Sequence, residues 1–507
     1  MPGNSPAMDP GGVRRHRRLE KRRRHLRRAR LGALVCAVVG AALVVTGWRL
    51  DGTQAVASET PSGNELATPM VSVRRIPELL LRPVADLRMA QSLAPLAEQS
   101  PPDSCISIGQ AGSTAYGLRA DTPLIPASNL KLVVGATALE VLGPETKLTT
   151  RVVANADPVQ GIVQGDLYFV GGGDPIIETG NYDAALKFAP QPHTPLETLA
   201  DSIRAAGVTR VTGNIVGDDG RYDSVRTVDS WADDDLTGGQ VGPLSALSVN
   251  DARDRTDDSD LAPIVGGNSV PAENPAAHAA DVLRELLIAR GVTVDGAATA
   301  GQAPDEARQI ASIDSAPVVD LVTQMLRFSD NNTAELLLKE VGRESSGEGS
   351  TEAGLAAERA LLEQWGISTE GVTLVDGSGL SRENRATCNF LRALLDHEGP
   401  AGRLAGALAV PQENGTLRDR FAGSPAAGSV RAKTGTLSIV TGMSGWVRTP
   451  AEFDLSFSYL VNRPNDRIVD DDLTRQQQLT ETLLAYPQTP DRSEIAVEEP
   501  RPVGSAG

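Results

Sequence analysis

Residues 123–131 read Pro123-Leu124-Ile125-Pro126-Ala127-Ser128-Asn129-Leu130-Lys131, and the class of the fold turns on the helix that begins within them. Pro126-Ala127 leads into a helix starting near Ser128, with Leu132, Val133, Thr137 and Val141 on one face and Gly143-Pro144 as its end. On a helix, positions i and i+3 share a face, so Lys131 can set its amine beside the Ser128 hydroxyl. A serine is a poor nucleophile until a base takes its proton, and burial next to another cation lowers a lysine pKa enough for that task. The helix N-terminus adds N–H groups where an oxyanion would form. The pair alone says little. With six lysines in the chain, a serine three residues before one of them arises by chance about one time in three.

Working outward, residues 103–127 read as two short strands and a turn. After the helix, residues 151–300 change texture, with many glycines and acids and strand-like runs such as Gly165-Asp166-Leu167-Tyr168-Phe169-Val170 and Gly213-Asn214-Ile215-Val216-Gly217-Asp218. They read as a β-rich inserted unit. Helices resume at Pro317 with Val318, Leu321, Val322 and Met325 on one face. A second helix carries Ala334, Leu337, Leu338 and Val341 and is closed by Gly342. Ser329-Asp330-Asn331 falls on the turn between them. Three strands come next, over residues 428–437, 442–449 and 453–462. In the last, Phe453, Leu455, Phe457 and Tyr459 alternate with Asp454, Ser456 and Ser458, the pattern of a half-buried strand. A helix over 473–484 closes the chain. Strands, then helices, then strands make an α+β fold with an antiparallel sheet covered by helices.

Ser329 could relay a proton, and the Asn331 amide could hold a carbonyl. Lys433-Thr434-Gly435-Thr436 lies in a strand, where a sheet edge can take an extended peptide by main-chain hydrogen bonds. Lys433 and Thr434 could grip a carboxylate, while Gly435 leaves room for close approach. Each motif has an ordinary structural alternative: a surface lysine, a polar helix turn, an edge-strand lysine that blocks aggregation. Together and in this order, SxxK, SxN and KTG form the set of penicillin-binding proteins and serine β-lactamases.

The neighbouring strings narrow the resemblance. Residues 123–128, Gly171-Gly172-Gly173-Asp174-Pro175, Asp376-Gly377-Ser378-Gly379-Leu380-Ser381-Arg382 and Asn414-Gly415-Thr416-Leu417 resemble the D-alanyl-D-alanine carboxypeptidase/endopeptidase family, the class C low-molecular-mass penicillin-binding proteins, over about residues 77–487. The resemblance implies a transpeptidase-like peptidase domain (77–150 and 301–487) interrupted by the insertion (151–300). It implies Ser128 as nucleophile, Lys131 as its base and Ser329 as proton relay. The Ser128 and Thr436 N–H groups would form the oxyanion hole, Asn331 would hold the peptide, and Lys433 and Thr434 would take the terminal carboxylate. Peptidoglycan stem peptides are the implied substrates and β-lactams the implied inhibitors, with no cofactor. It also implies an acid of the insertion that reads the side-chain amine of diaminopimelate. Asp218 is the candidate and Asp219 its alternate. The acidic run at 229–235 departs from the family pattern. Rival readings are a serine β-lactamase, a scaffold that binds cell-wall peptides without cutting, and a β-rich adhesin with chance motifs.

The ends of the chain carry a separate message. Residues 1–50 hold twelve Arg/Lys against two Asp/Glu, although the whole chain has a net charge of −17. An acidic body argues against nucleic acid. The basic run 14–30 precedes 18 uncharged residues, 31–48. This is long enough for a spanning helix, with the basic side cytoplasmic and the rest exported. An uncleaved anchor and a cleaved signal peptide both fit. Residues 49–76 read as a linker and 488–507 as a loose tail. Cys36 lies in the span, so Cys105 and Cys388 are the exported pair, either joined as a disulfide or buried as small apolar thiols. Five scattered histidines without a ligand spacing give no metal motif.

Overall fold

The computed structural model describes residues 77–488 except 111, 185 and 256–268. The expected span at 31–48, the linker and the tail beyond 488 lie outside the described residues. Among the described residues no helix is long and apolar enough to cross a membrane.

Two sheets organise the chain. The first is antiparallel and five-stranded. Its strands are β1 (Ser104–Gln110) and β2 (Ser113–Leu118) from the N-terminal part, with β8 (Val430–Leu437), β9 (Val440–Arg448) and β10 (Asp454–Asn462) from the C-terminal part. The order is β8-β9-β10-β1-β2, so β8, with Lys433-Thr434-Gly435, is an edge strand. The second sheet is formed by β3 (Thr149–Ala154), β4 (Leu167–Val170), β5 (Ile215–Asp218), β6 (Ala298–Ala300) and β7 (Arg308–Asp314), in the order β6-β5-β4-β3-β7.

This second sheet corrects the β-rich reading. β5 pairs parallel with both β4 and β6, and parallel pairs need crossovers. Helices α3 (Leu196–Ala205) and α4 (Pro275–Ala289) lie in those connections. Leu199, Ile203, Leu283 and Leu287 pack with Val152, Phe169 and Ile215 in a core separate from the others. The helical spacing of Leu196, Leu199, Ala200 and Ile203 is present in the sequence, but glycines and acids around it hide it.

The first sheet is covered on both faces. Helix α1 (Pro77–Gln99) and helix α9 (Asp470–Leu484) share a core with Ile106, Ile108, Leu455, Phe457, Tyr459 and Val461. Against the other face lies α8 (Cys388–Glu398). Here the half-buried expectation for β10 fails. Ser456 and Ser458 are as buried as Phe457. Ser456 donates to Asp396 of α8, and the Ser458 and Ser444 hydroxyls pair at 2.9 Å. Alternation in β10 therefore separates a face of large apolar side chains from a face of small hydroxyls that lets a helix approach, not core from solvent. Cys105 on β1 and Cys388 at the start of α8 are joined by a disulfide, 283 residues apart. Closing a loop that long restricts the unfolded chain by about 5 kcal/mol in chain-entropy terms.

The central helix α2 (Lys131–Val141) is buried from Lys131 to Ala138, as a helix apolar on nearly every face should be. It packs among α5 (Val318–Phe328), α6 (Asn331–Ser346) and α7 (Thr351–Gln364). Gly342 does not close α6, which runs on to a left-handed Gly347. A Cβ on Gly342 would lie 2.6 Å from the Gly354 nitrogen of α7, and one on Gly354 would lie 2.2 Å from the Leu338 carbonyl oxygen. The glycine thus permits close helix–helix approach rather than making a stop.

Candidate active site

A 3-10 turn, Ala127–Leu130, delivers Ser128 to the N-terminal end of α2. Ala127 has φ 47°, a conformation costly for a side chain with a Cβ. Gly379 packs over it: a Cβ there would sit 2.1 Å from the Ala127 carbonyl oxygen. From the other side comes β8, where a Cβ on Gly435 would lie 2.8 Å from the Ser128 nitrogen. Gly435 is therefore needed first by the protein itself, to bring the edge strand beside the Ser128 backbone.

Lys131 is fully buried and its Nζ donates three bonds, to Ser128 Oγ at 3.0 Å, Asn331 Oδ1 at 2.7 Å and the Ser378 carbonyl at 2.7 Å. Burial brings its pKa down to about 8, against the opposing charges of Glu335, Asp376 and Asp330. At that value roughly a tenth of the amine is neutral at pH 7. Lys433 is also buried and donates to Ser329 Oγ at 2.8 Å and to the Thr434 carbonyl. Burial first, then the charge of Lys131, pushes its pKa well below the ordinary lysine value. Thr434 Oγ1 pairs with Thr416 Oγ1 at 2.8 Å, which joins the 414–417 string to the KTG strand. Thr436 is exposed on β8.

Ser329 caps α5 in a left-handed conformation, φ 63°. Asp330 then caps α6 by accepting from Thr333 N. The two caps turn the chain so that Ser329 faces Lys433 and Asn331 faces Lys131. The Asn331 amide is engaged on both sides, because its Nδ2 donates to the Gln240 carbonyl at 2.6 Å. The second Nδ2 hydrogen is left for a substrate carbonyl.

Ser128, Lys131, Ser329, Asn331, Lys433, Thr434 and Gly435 are thus assembled in one place. Asp218 is not part of this cluster. Its two oxygens accept from Gly220 N at 2.9 Å and Ala303 N at 2.8 Å, inside the inserted unit. Asp219 pairs with Arg226 at 2.6 Å and Ser245 at 2.8 Å. The insertion meets this cluster and its surroundings through residues 230–242 instead. Trp231 Nε1 donates to Asp376 at 2.9 Å, the Ser230 and Ser381 hydroxyls pair at 2.6 Å, and Gly242 N donates to Asn332 at 2.7 Å. The acidic run at 229–235 therefore lies against the 376–382 loop. Asp235 lies 4.0 Å from Arg382, and Asp233 and Asp234 are exposed.

Sequence reading also misses Glu335. It is buried, and its carboxylate accepts from Gly377 N and, at 2.7 Å, from Ser378 N. Burial, then the charge of Asp376, raises its pKa to about 7. It holds the loop whose Ser378 carbonyl receives Lys131. Its place on the inner face of α6 is its only signal in the sequence.

These hydroxyls and amines suit acyl transfer to a serine. A family model described as the D-Ala-D-Ala carboxypeptidase 3 (S13) family matches residues 94–258 and 266–484. The chain is 33% identical over 422 residues to a D-alanyl-D-alanine carboxypeptidase of Actinomadura sp. (strain R39), covering 69% of this chain and 76% of that protein. It is 32% identical over 451 residues to Carboxypeptidase DacB of Mycolicibacterium smegmatis, covering 85% and 91%. The crystal structure of penicillin binding protein 4 (dacB) from Haemophilus influenzae has the same fold, with a TM-score of 0.65 at 20% identity over 77% of this chain and 98% of that one.

Proposed function

The chain belongs to the D-Ala-D-Ala carboxypeptidase 3 (S13) family, and from that membership we propose how its residues carry out the reaction. It is a serine-type D-Ala-D-Ala carboxypeptidase, a hydrolase of peptidoglycan. The observation that carries the proposed roles is the 3.0 Å contact between Ser128 Oγ and a buried Lys131 whose pKa is brought to about 8.

In the free protein, burial lowers both amines; three acids favour the ammonium on Lys131, while the charge of Lys131 further disfavours the ammonium on Lys433. A substrate carboxylate at Lys433 and Thr434 shifts that balance. It stabilises the Lys433 ammonium, and Lys131 then faces a second cation and loses its proton. Neutral Lys131 takes the Ser128 proton as Oγ bonds to the carbonyl carbon of the penultimate D-Ala. The Ser128 and Thr436 N–H groups receive the oxyanion. Ser329, which accepts from Lys433 Nζ, relays a proton from the lysines to the departing D-Ala nitrogen as the C–N bond breaks; water then adds its OH to the acyl carbon and its proton restores the Ser128 hydroxyl. A β-lactam follows the same path to acylation but leaves an acyl group that hydrolyses slowly. Cross-link endopeptidase cleavage needs only a larger leaving group. Intact-mass spectrometry after exposure to penicillin tests this reading: one adduct on the peptide holding Ser128 supports it, and an unmodified protein overturns it.

Substrate choice follows from charge. A carboxylate of the insertion facing a side-chain ammonium gives a charge-assisted hydrogen bond that penalises peptides lacking the amine. The family resemblance points to Asp218, while Asp234, exposed in the run that contacts Asp376 and Ser381, is a second candidate. Cleavage of peptides with and without the free amine should show a preference for the amine that one of Asp218→Asn and Asp234→Asn abolishes. Ratios unchanged in both variants exclude both acids.

We further place the peptidase on the outer face of a bacterial membrane, held by the 31–48 segment with its basic flank in the cytoplasm. The Cys105–Cys388 disulfide suits an oxidising compartment. Full-length protein should stay with the membrane through alkaline carbonate extraction, and a chain without residues 1–48 should not. Full-length protein in the soluble fraction would reject the anchor.

A further inference from the structure

Beside the turn that carries Ser329 and Asn331, the inserted unit brings together acids that the peptidase reaction does not use. Glu178, in a two-residue strand, is 5% exposed, and its Oε2 has no hydrogen-bond partner. The charges that bear on it, Asp251, Asp330, Asp183 and Asp174, are all negative. An unpaired carboxylate buried among carboxylates costs several kcal/mol unless something positive joins it.

The immediate neighbours supply what a cation needs. The ligand atoms of Glu178, Asp183 and His193 lie within 4.8 Å of one another. Asp183 Oδ1 is 3.7 Å from His193 Nδ1, and these side chains keep 12% and 22% exposure, so solvent reaches the group. His193 Nδ1 donates to the Gln191 carbonyl oxygen at 3.1 Å; an ion taken by Nδ1 replaces that proton and leaves the carbonyl within reach as a further oxygen ligand. The Gln191 backbone N–H meanwhile holds Asp183 at 2.9 Å. We propose that Glu178, Asp183 and His193 bind a divalent cation. One imidazole and two carboxylates suit Zn2+ or a similar first-row ion better than Ca2+ or Mg2+, which prefer oxygen alone.

The site has a structural consequence at the catalytic turn. The Gln324 amide donates to Gln191 Oε1 at 3.4 Å and to Asp330 Oδ2 at 2.8 Å. Asp330 caps α6 between Ser329 and Asn331. A cation held by Glu178, Asp183 and His193 therefore braces the 177–195 segment against the helices that present the proton relay, and offsets the charge collected there. No ligand falls within a recognisable sequence motif, since the three residues are five and ten positions apart.

Zn2+ itself is the probe. Purified full-length protein, stripped with chelator and dialysed, should take up one equivalent of Zn2+ by calorimetry and gain a few degrees in Tm. His193→Ala, at a partly exposed position that leaves the buried acids in place, should weaken uptake by at least 10–100-fold and remove the Tm rise. Glu178→Gln, nearly the same shape without the charge, should do the same while keeping its circular dichroism. Wild-type protein without a stoichiometric Zn2+ response overturns the proposal and leaves Glu178 holding a proton. Equal Zn2+ binding by wild type and both variants also overturns it, by placing the ion elsewhere.

Discussion

Ser128→Ala should lose the penicillin adduct and D-Ala release together, with a fall in turnover on the order of 10⁶-fold, while the protein stays folded. Ser128 is half-buried, and its hydroxyl takes only one of the three Lys131 hydrogen bonds. Asn331 and the Ser378 carbonyl still hold the amine, so the cost in stability should stay near or below about 1 kcal/mol. Intact-mass spectrometry and a melting curve on the same sample separate the two effects. An adduct that survives in the variant would assign the nucleophile elsewhere.

The second large effect concerns Lys131. Only its neutral form can accept the Ser128 proton, and burial sets its pKa at about 8. The rate of penicillin acylation should therefore rise with pH through about 8 and then level off. Below that region the ammonium dominates and the base is lost. Lys131→Ala should slow acylation by roughly 10²–10⁴-fold and flatten this limb. It also leaves Asn331 Oδ1 and the Ser378 carbonyl without their donor, at about 1–3 kcal/mol of stability, so a melting curve accompanies the kinetics. Glu335 gives a finer test. Its charge is the largest of those favouring the Lys131 ammonium, so Glu335→Gln should move the rising limb to lower pH. Its amide retains an oxygen to accept from the 377–378 loop. Stopped-flow acylation of wild type and variants across pH 6–10 measures all three. A limb that stays in place in Lys131→Ala would remove the lysine as the base, and one that stays in place in Glu335→Gln would remove Glu335 as a positioning residue.

Sequence and structure part company at informative places. SxxK, SxN and KTG are legible because each depends on local geometry: a helical turn sets Ser128 against Lys131, two adjacent caps orient Ser329 and Asn331, and a strand presents Lys433. Most helices and strands of the catalytic unit follow from the same local periodicities. The serine face of β10 misleads because period two reports that the faces differ, whereas burial depends on α8, which arrives from residues 388–398. Gly342 looks like a stop because a glycine required by a neighbouring helix and one required by a left-handed cap are the same letter.

The linear order of residues settles the chemistry: a serine with a lysine one turn away, a second serine on a turn, and a lysine on a strand, in the order that defines a family. Packing in three dimensions settles which groups tune that chemistry. Burial, not spacing, lowers Lys131. Glu335, Asp376 and Trp231 meet around it from three separate segments. Residues 230–242, rather than the Asp218 turn, pack against the 376–382 loop, and Glu178, Asp183 and His193 gather beside Asp330. Side chains brought together by packing leave no periodic trace in the chain, because their distances are set by the sheets and helices between them.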